Sequence, residues 1–272
     1  MKRRKKRSNK GKVLLPIGII AALCILLMLY LLFWPVGKSG KVAYITVDQD
    51  DTQDSVFSKL ETVVTPTALT TMKTLSQMTS YEDHIRTGRY EVGKEGAFNT
   101  FRHIKNGIQA PLSLTIPSVR TVERLSEEVG KRMMFSNKEL LDSLQDSTVC
   151  RRYGFSTETI PCMFIPNTYD LYWNISICTF LDRMKKEYDR FWTPARKEKA
   201  KTIGLSPEEV TILASIVEEE TANDGEKPMV AGMYINRLKI DMLLQADPTV
   251  KFALKNFEAK RIYNSMLSTD SP

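Results

Sequence analysis

A run of 24 residues without a charge, VLLPIGIIAALCILLMLYLLFWPV at 13–36, limits this chain more than any other feature. As a helix rising roughly 1.5 Å per residue it would extend about 36 Å, enough to cross a hydrocarbon core of about 30 Å with some tilt. Pro16 falls in the first turn, where a missing N–H matters least. Tyr30, Phe33 and Trp34 sit near the far end, where interfacial aromatics belong. A cleaved signal peptide usually has an apolar stretch of roughly 7–15 residues that ends in small residues. Leu-Phe-Trp-Pro-Val is a poor cleavage site, so the run reads as an uncleaved transmembrane helix. The preceding MKRRKKRSNKGK, residues 1–12, holds eight Lys or Arg and no acid. By the positive-inside rule this tail is cytoplasmic and everything after residue 37 lies outside, with the chain passing once through the cell (inner) membrane.

The same tail explains the charge. The chain carries a net +7, and without residues 1–12 the remainder stands at −1. The basic excess is a terminal tail and not a binding face, so no nucleic-acid partner is expected. Cys24 lies within the apolar run, and Cys150, Cys162 and Cys178 follow with no CxxC spacing. One disulfide or three free thiols are both compatible with that odd number. His84 and His103 are the only histidines and stand in no metal-ligand pattern, so neither a zinc site nor a histidine triad is expected.

After a Gly-Lys-Ser-Gly linker at 37–40, VAYITV alternates as a strand does. From about residue 54 to 78, helical spacing appears in two sets: Val56, Leu60, Val63 and Val64, then Leu69, Met72 and Leu75. TGRYEV at 87–92 reads as a returning strand, and Phe98, Phe101 and Ile104 mark a short helix ending at Gly107. Residues 41–110 thus form a small α/β module. LSLTIP at 112–117 is a further strand, and the pattern then turns mainly helical through 111–272, an α+β chain in total. PCMFIPNTYDLYWN at 161–174 reads as a loop rich in aromatics, either a packing plug or a wall of ring faces for pyranose surfaces. The run FLDRMKKEYDRFWTPARKEKAK reads as a solvated outer helix with one apolar stripe.

LSPEEV opens the helix that carries the chemistry. Ser206 is a good N-cap, Pro207 fits the first helical position, and Glu209 completes a capping box. Val210, Leu213, Val217 and Glu220 then follow at steps of 3, 4 and 3 on one stripe, flanked by Ile216. Glu218 stacks instead over Ala214 and Thr211, and Glu219 over Ser215. Of the three consecutive glutamates in LASIVEEETA, Glu220 therefore continues the apolar seam. A carboxyl held against apolar neighbours keeps its proton more readily, as a general acid must. The other reading is the solvated last turn of a core helix, or an ion pair. MVAGMYINRL at 229–238 reads as a second helix, and LLQADPTV turns through Asp-Pro into another. Asn236, Gln245, Asp247 and Thr249 supply short polar groups suited to sugar hydroxyls and amides. No second carboxylate stands at the spacing of an ordinary glycosidase pair.

LASIVEEETA, then NRL, then LLQADPTV resembles the signature of the endolytic murein transglycosylases, the YceG-like or MltG-like family. FIPNTY is similar to that family's aromatic loop, with Asn167 where Asp is common, and TGRYEV to the late strand of its LysM-like N-terminal module. The resemblance implies a transmembrane anchor (13–36), a LysM-like module (41–110) and a lytic transglycosylase domain (111–272). It implies a lyase that cuts between N-acetylmuramic acid and N-acetylglucosamine within glycan strands, leaving 1,6-anhydro ends, and a role in ending strand elongation. Glu220, directly before Thr221, maps to the catalytic glutamate. Thr221, Asn236, Gln245, Asp247, Thr249 and Tyr169 are expected to meet the substrate. No metal or other cofactor is implied; peptidoglycan is the partner, with cell-wall synthesis proteins as further ones. The family continues past STDSP with a Ser-Pro-Tyr-Asn-Thr-Tyr segment, so the catalytic domain is expected to be incomplete here. A non-catalytic, membrane-anchored peptidoglycan-binding or scaffold protein is the alternative on that ground.

Overall fold

The structure, a computed structural model, describes residues 10–34, 36–38, 41–259 and 261–267, with side chains from residue 19 onward. It is α+β and mostly helical. Backbone contacts divide the chain into two compact units, Met1–Ser113 with Asp170–Asn174, and Leu114–Tyr169 with Ile175–Pro272.

In the first unit, α1 (Lys10–Phe33) precedes β1 (Ala43–Val47), α2 (Gln53–Val63), α3 (Pro66–Met78), β2 (Gly88–Val92) and α4 (Ala97–Asn106). The expectation of a membrane-spanning helix is corrected here. Among the described residues, no helix is long and apolar enough to cross a membrane. Of the cytoplasmic tail expected at 1–12, residues 1–9 lie outside the described residues.

β1 and β2 pair antiparallel, from Ala43 opposite Val92 to Val47 opposite Gly88. Their inward residues Ile45, Val47, Tyr90 and Val92 meet Val56, Phe57 and Leu60 of α2, Met72 of α3, and Phe101 and Ile104 of α4 in one core. The helical stretch from 54 to 78 breaks in two because Thr65 caps α3, accepting from Ala68 N, and Pro66 starts it. Gly107 ends α4 at φ 71°, its N–H donating to His103 O and Ile104 O.

The remaining elements are β3 (Leu112–Ile116), α5 (Val122–Gly130), α6 (Asn137–Gln145), α7 (Ser147–Arg152), β4 (Asn167–Leu171), α8 (Ile177–Phe191), α9 (Pro194–Thr202), α10 (Pro207–Glu220), α11 (Lys227–Lys239) and α12 (Asp247–Ala253). β3 pairs with β4, so the stretch expected as a loop contains a strand. Tyr169 and Leu171 point inward between exposed neighbours, an alternation too short to stand out among prolines and asparagines. The charged run also proves to be two helices, because Thr193 caps α9 and Pro194 begins it. The buried stripe of α8 is Phe180, Leu181, Met184 and Tyr188.

A separate small cluster holds α10, α11 and the approach to α12 together. Leu213, Val217, Tyr234 and Ala246 are its buried members, and Ile216, Val230, Ile235 and Leu244 pack against them. This cluster fixes which way the end of α10 faces.

Candidate active site

α10 is fixed at its start by a complete capping box: Glu209 N donates to Ser206 Oγ at 3.1 Å, and Ser206 N to Glu209 Oε2 at 2.7 Å. The Tyr188 hydroxyl adds a hydrogen bond of 2.7 Å to Glu208 Oε1. From that start the helix runs without interruption to Glu220, where Thr221 turns extended at φ −144°. The phase set at Ser206 therefore decides where each terminal glutamate points.

The three glutamates have three different partners. Glu218 Oε2 lies 2.6 Å from Lys227 Nζ, which also reaches Asp224 at 2.7 Å. Glu219 receives a two-pronged clasp from Arg120, with Nε at 2.8 Å and Nη2 at 2.7 Å. Glu220 is held by a neutral donor: Tyr234 Oη donates to its Oε1 at 2.7 Å. Among the described residues its Oε2 makes no hydrogen bond. To turn toward a substrate, Glu218 and Glu219 would have to break charge-assisted pairs, and Glu220 would not.

Glu220 lies on the seam's side, since Tyr234 belongs to the cluster built on Leu213 and Val217. It is nonetheless exposed, which corrects the expectation of a carboxyl held against apolar neighbours. The buried part of the seam stops at Val217, and the helix ends three residues later. Spacing gave the side of the helix, and the neighbouring elements do not extend over its last turn.

Tyr234 itself is only 2% exposed. Burial pushes its phenol up to about 12, and the hydrogen bond to Glu220 and that carboxylate's charge add to the rise. The charge of Asp247 acts in the same direction, which brings the first residue of α12 into the electrostatic surroundings of the pair. Arg237 opposes them, its guanidinium 5.9 Å from the centre of the Tyr234 ring. Arg237 Nη1 also donates to Leu244 O, tying the segment before α12 to α11.

The other expected residues separate into groups. Asn236, Gln245 and Asp247 are exposed, and Gln245 adopts a left-handed φ of 52°. Thr221 uses its hydroxyl locally, donating to Glu226 Oε2 at 2.8 Å and accepting from Asn223 N at 3.1 Å. Thr249 Oγ1 likewise donates to Ala246 O at 2.7 Å. Tyr169 requires correction: it is 4% exposed, with its hydroxyl donating to Ile165 O, so its ring packs in the interior and offers no face to a sugar. Tyr172 is the exposed ring of that stretch. The thiols are free, with Cys150 and Cys162 buried and Cys178 exposed.

Sequence reasoning missed Tyr234, Lys227 and Arg120. Tyr234 was within reach, four residues after Val230 on the apolar face of α11. Arg120 left no signal, because 99 positions separate it from Glu219.

Comparison with known proteins adds to this geometry. The family model described as the YceG-like family matches residues 45–272. The endolytic murein transglycosylase of Streptococcus pneumoniae serotype 2 (strain D39) is 26% identical over 161 residues, 52% of this chain and 29% of that protein. The Bacillus subtilis (strain 168) protein of the same name is 34% identical over 76 residues, 28% of this chain and 21% of that protein. The matched stretches thus span less than a third of these relatives. A crystal structure of a yceG-like protein from Listeria monocytogenes shares the fold, with a TM-score of 0.52 at 20% identity over 85% of this chain and 81% of that one.

Proposed function

Because the chain belongs to the YceG-like family, we propose that it cleaves murein glycan strands internally as a lytic transglycosylase, with Glu220 as both acid and base. The carrying observation is the difference among the three glutamates: two are clasped by cations, and Glu220 is held by a neutral phenol, its other oxygen making no hydrogen bond among the described residues.

Glu220 first gives its proton to the glycosidic oxygen between muramic C1 and the following sugar, and the C1–O bond breaks with the electron pair leaving on that oxygen. The carboxylate then takes the proton from the muramic C6 hydroxyl as O6 closes onto C1. A 1,6-anhydro ring forms, Glu220 is protonated again, and water is not consumed. One carboxyl therefore suffices, where a hydrolase uses two. Exposure in the free protein fits this scheme if the glycan itself covers Glu220, because excluding water is what lets a carboxyl hold its proton.

Asn236, Gln245 and Asp247 are the exposed polar groups we assign to the sugar, with Thr221 and Thr249 shaping the two turns beside them. We assign the working site to the outer side of the cytoplasmic membrane, where murein lies. The strand–helix–helix–strand order of the first unit supports reading residues 41–110 as a LysM-like, glycan-holding module. Mass analysis of purified peptidoglycan digested by the chain is the test. Fragments ending in 1,6-anhydro-muramic acid are expected, at mixed lengths; free reducing ends, or no fragments, would contradict the proposal.

A further inference from the structure

A general acid that must act at one oxygen and then at another has to hold its carboxyl in one place, and an exposed glutamate at a helix end has the rotamer freedom to wander. Glu220 is such a residue, and the structure supplies one restraint on it. Tyr234 is buried in the cluster of Leu213, Val217 and Ala246, so its ring cannot follow a moving carboxylate. The Arg237 guanidinium stands beside that ring, and Arg237 is itself tied to Leu244 O. We infer that Tyr234 is a positioning residue for Glu220, pinning Oε1 through its phenol so that Oε2 is presented to the substrate. The inference rests on the reading of Glu220 as the acid and base.

The phenol's chemistry fits positioning and not proton transfer. Pushed up to about 12, it stays a donor throughout the range in which such an enzyme works, and its one proton is engaged by the Glu220 carboxylate. Its oxygen is committed to Oε1 at 2.7 Å, and a carboxylate accepts a second partner at its other oxygen without disturbing the first. Glu218 and Glu219 are engaged elsewhere, by Lys227 and Arg120.

Two measurements on the full chain decide the matter. The first is steady-state kinetics on soluble murein oligomers of defined length for Tyr234→Phe and Glu220→Gln. Tyr234→Phe keeps the ring and the packing; kcat is expected to fall about tenfold with KM within about twofold. The second needs no activity: fluorotyrosine placed at 234, whose acidity brings its titration into a pH range the fold tolerates, is followed by fluorine resonance. Its midpoint is expected to drop when Glu220→Ala removes the carboxylate. An inactive Glu220→Gln beside a Tyr234→Phe of unchanged kcat overturns the inference and leaves the reading of Glu220 standing. A rise in KM alone overturns it too, as does a titration that ignores the loss of Glu220. An active Glu220→Gln overturns the reading of Glu220, and this inference with it.

Discussion

Consecutive residues on a helix point about 100° apart, and three glutamates in a row at the end of α10 consequently meet three unrelated environments. The steps from Val210 to Glu220 were enough to tell which of the three shares a side with the core. They could not tell whether anything covers that side at the helix end, and nothing in the sequence tied Arg120 to Glu219. A similar Tyr–Glu contact at the other end of α10 carries a prediction about pH. Burial alone would raise the Glu208 carboxyl, but donation from Tyr188 and from the backbone outweighs it and holds the group below the usual carboxylate range. A depressed value in the folded state means stability that is present above an unfolded value of about 4.3 and is lost as pH falls through the lower folded one. Tyr188→Phe should therefore cost about 1–2 kcal/mol in urea unfolding at neutral pH, with the gap to the unsubstituted protein closing as the solution is acidified below pH ~4. A gap that stays constant with pH would show that Tyr188 stabilises through its ring alone.

Elements were legible where a local chemical signal sets their ends. Ser206 with Glu209 opens α10 by a capping box, and Gly107 closes α4 in a conformation that costs other residues strain. Where the signal was local but divided, reading failed. Thr193-Pro194 is a helix start, yet the charges run on unbroken to either side of it and hide the break between α8 and α9. β4 was hidden for a different reason: only Tyr169 and Leu171 face inward, and a strand that short is recognised from its partner β3 more than from itself. Gly107 offers the direct test at this scale. At φ 71° an added Cβ would also approach Arg86 Cδ to 2.9 Å, the end of a side chain that can move aside. The backbone strain remains, so Gly107→Ala should lower stability by about 1 kcal/mol, read as a lowered midpoint in thermal unfolding. An unchanged midpoint would mean that the end of α4 relaxes freely.

For the whole molecule, charge was readable from composition, since it is a sum over the chain. The α+β, mainly helical architecture followed from the succession of periods, and the motifs of α10 to α12 led to the family whose model matches residues 45–272. The membrane-spanning helix did not follow: an uncharged run limits what a segment can do without fixing what it does, and no helix among the described residues meets the requirement. The charge reading has its own consequence. Without residues 1–12 the chain falls from +7 to −1, so that variant should wash through a heparin column at low salt where the full chain is retained. Retention of both would reveal a basic face elsewhere.

The three glutamates compared side by side test the proposed chemistry most directly. Glu218→Gln, Glu219→Gln and Glu220→Gln are each given the same purified peptidoglycan, and 1,6-anhydro ends are counted by mass spectrometry. The first two lose only exposed ion pairs, each worth about 1 kcal/mol or less, and should release those ends at nearly the unsubstituted rate. Glu220→Gln should release none above background. Equal losses in all three, or anhydro ends still forming without the Glu220 carboxyl, would contradict the assignment of acid and base to that one side chain.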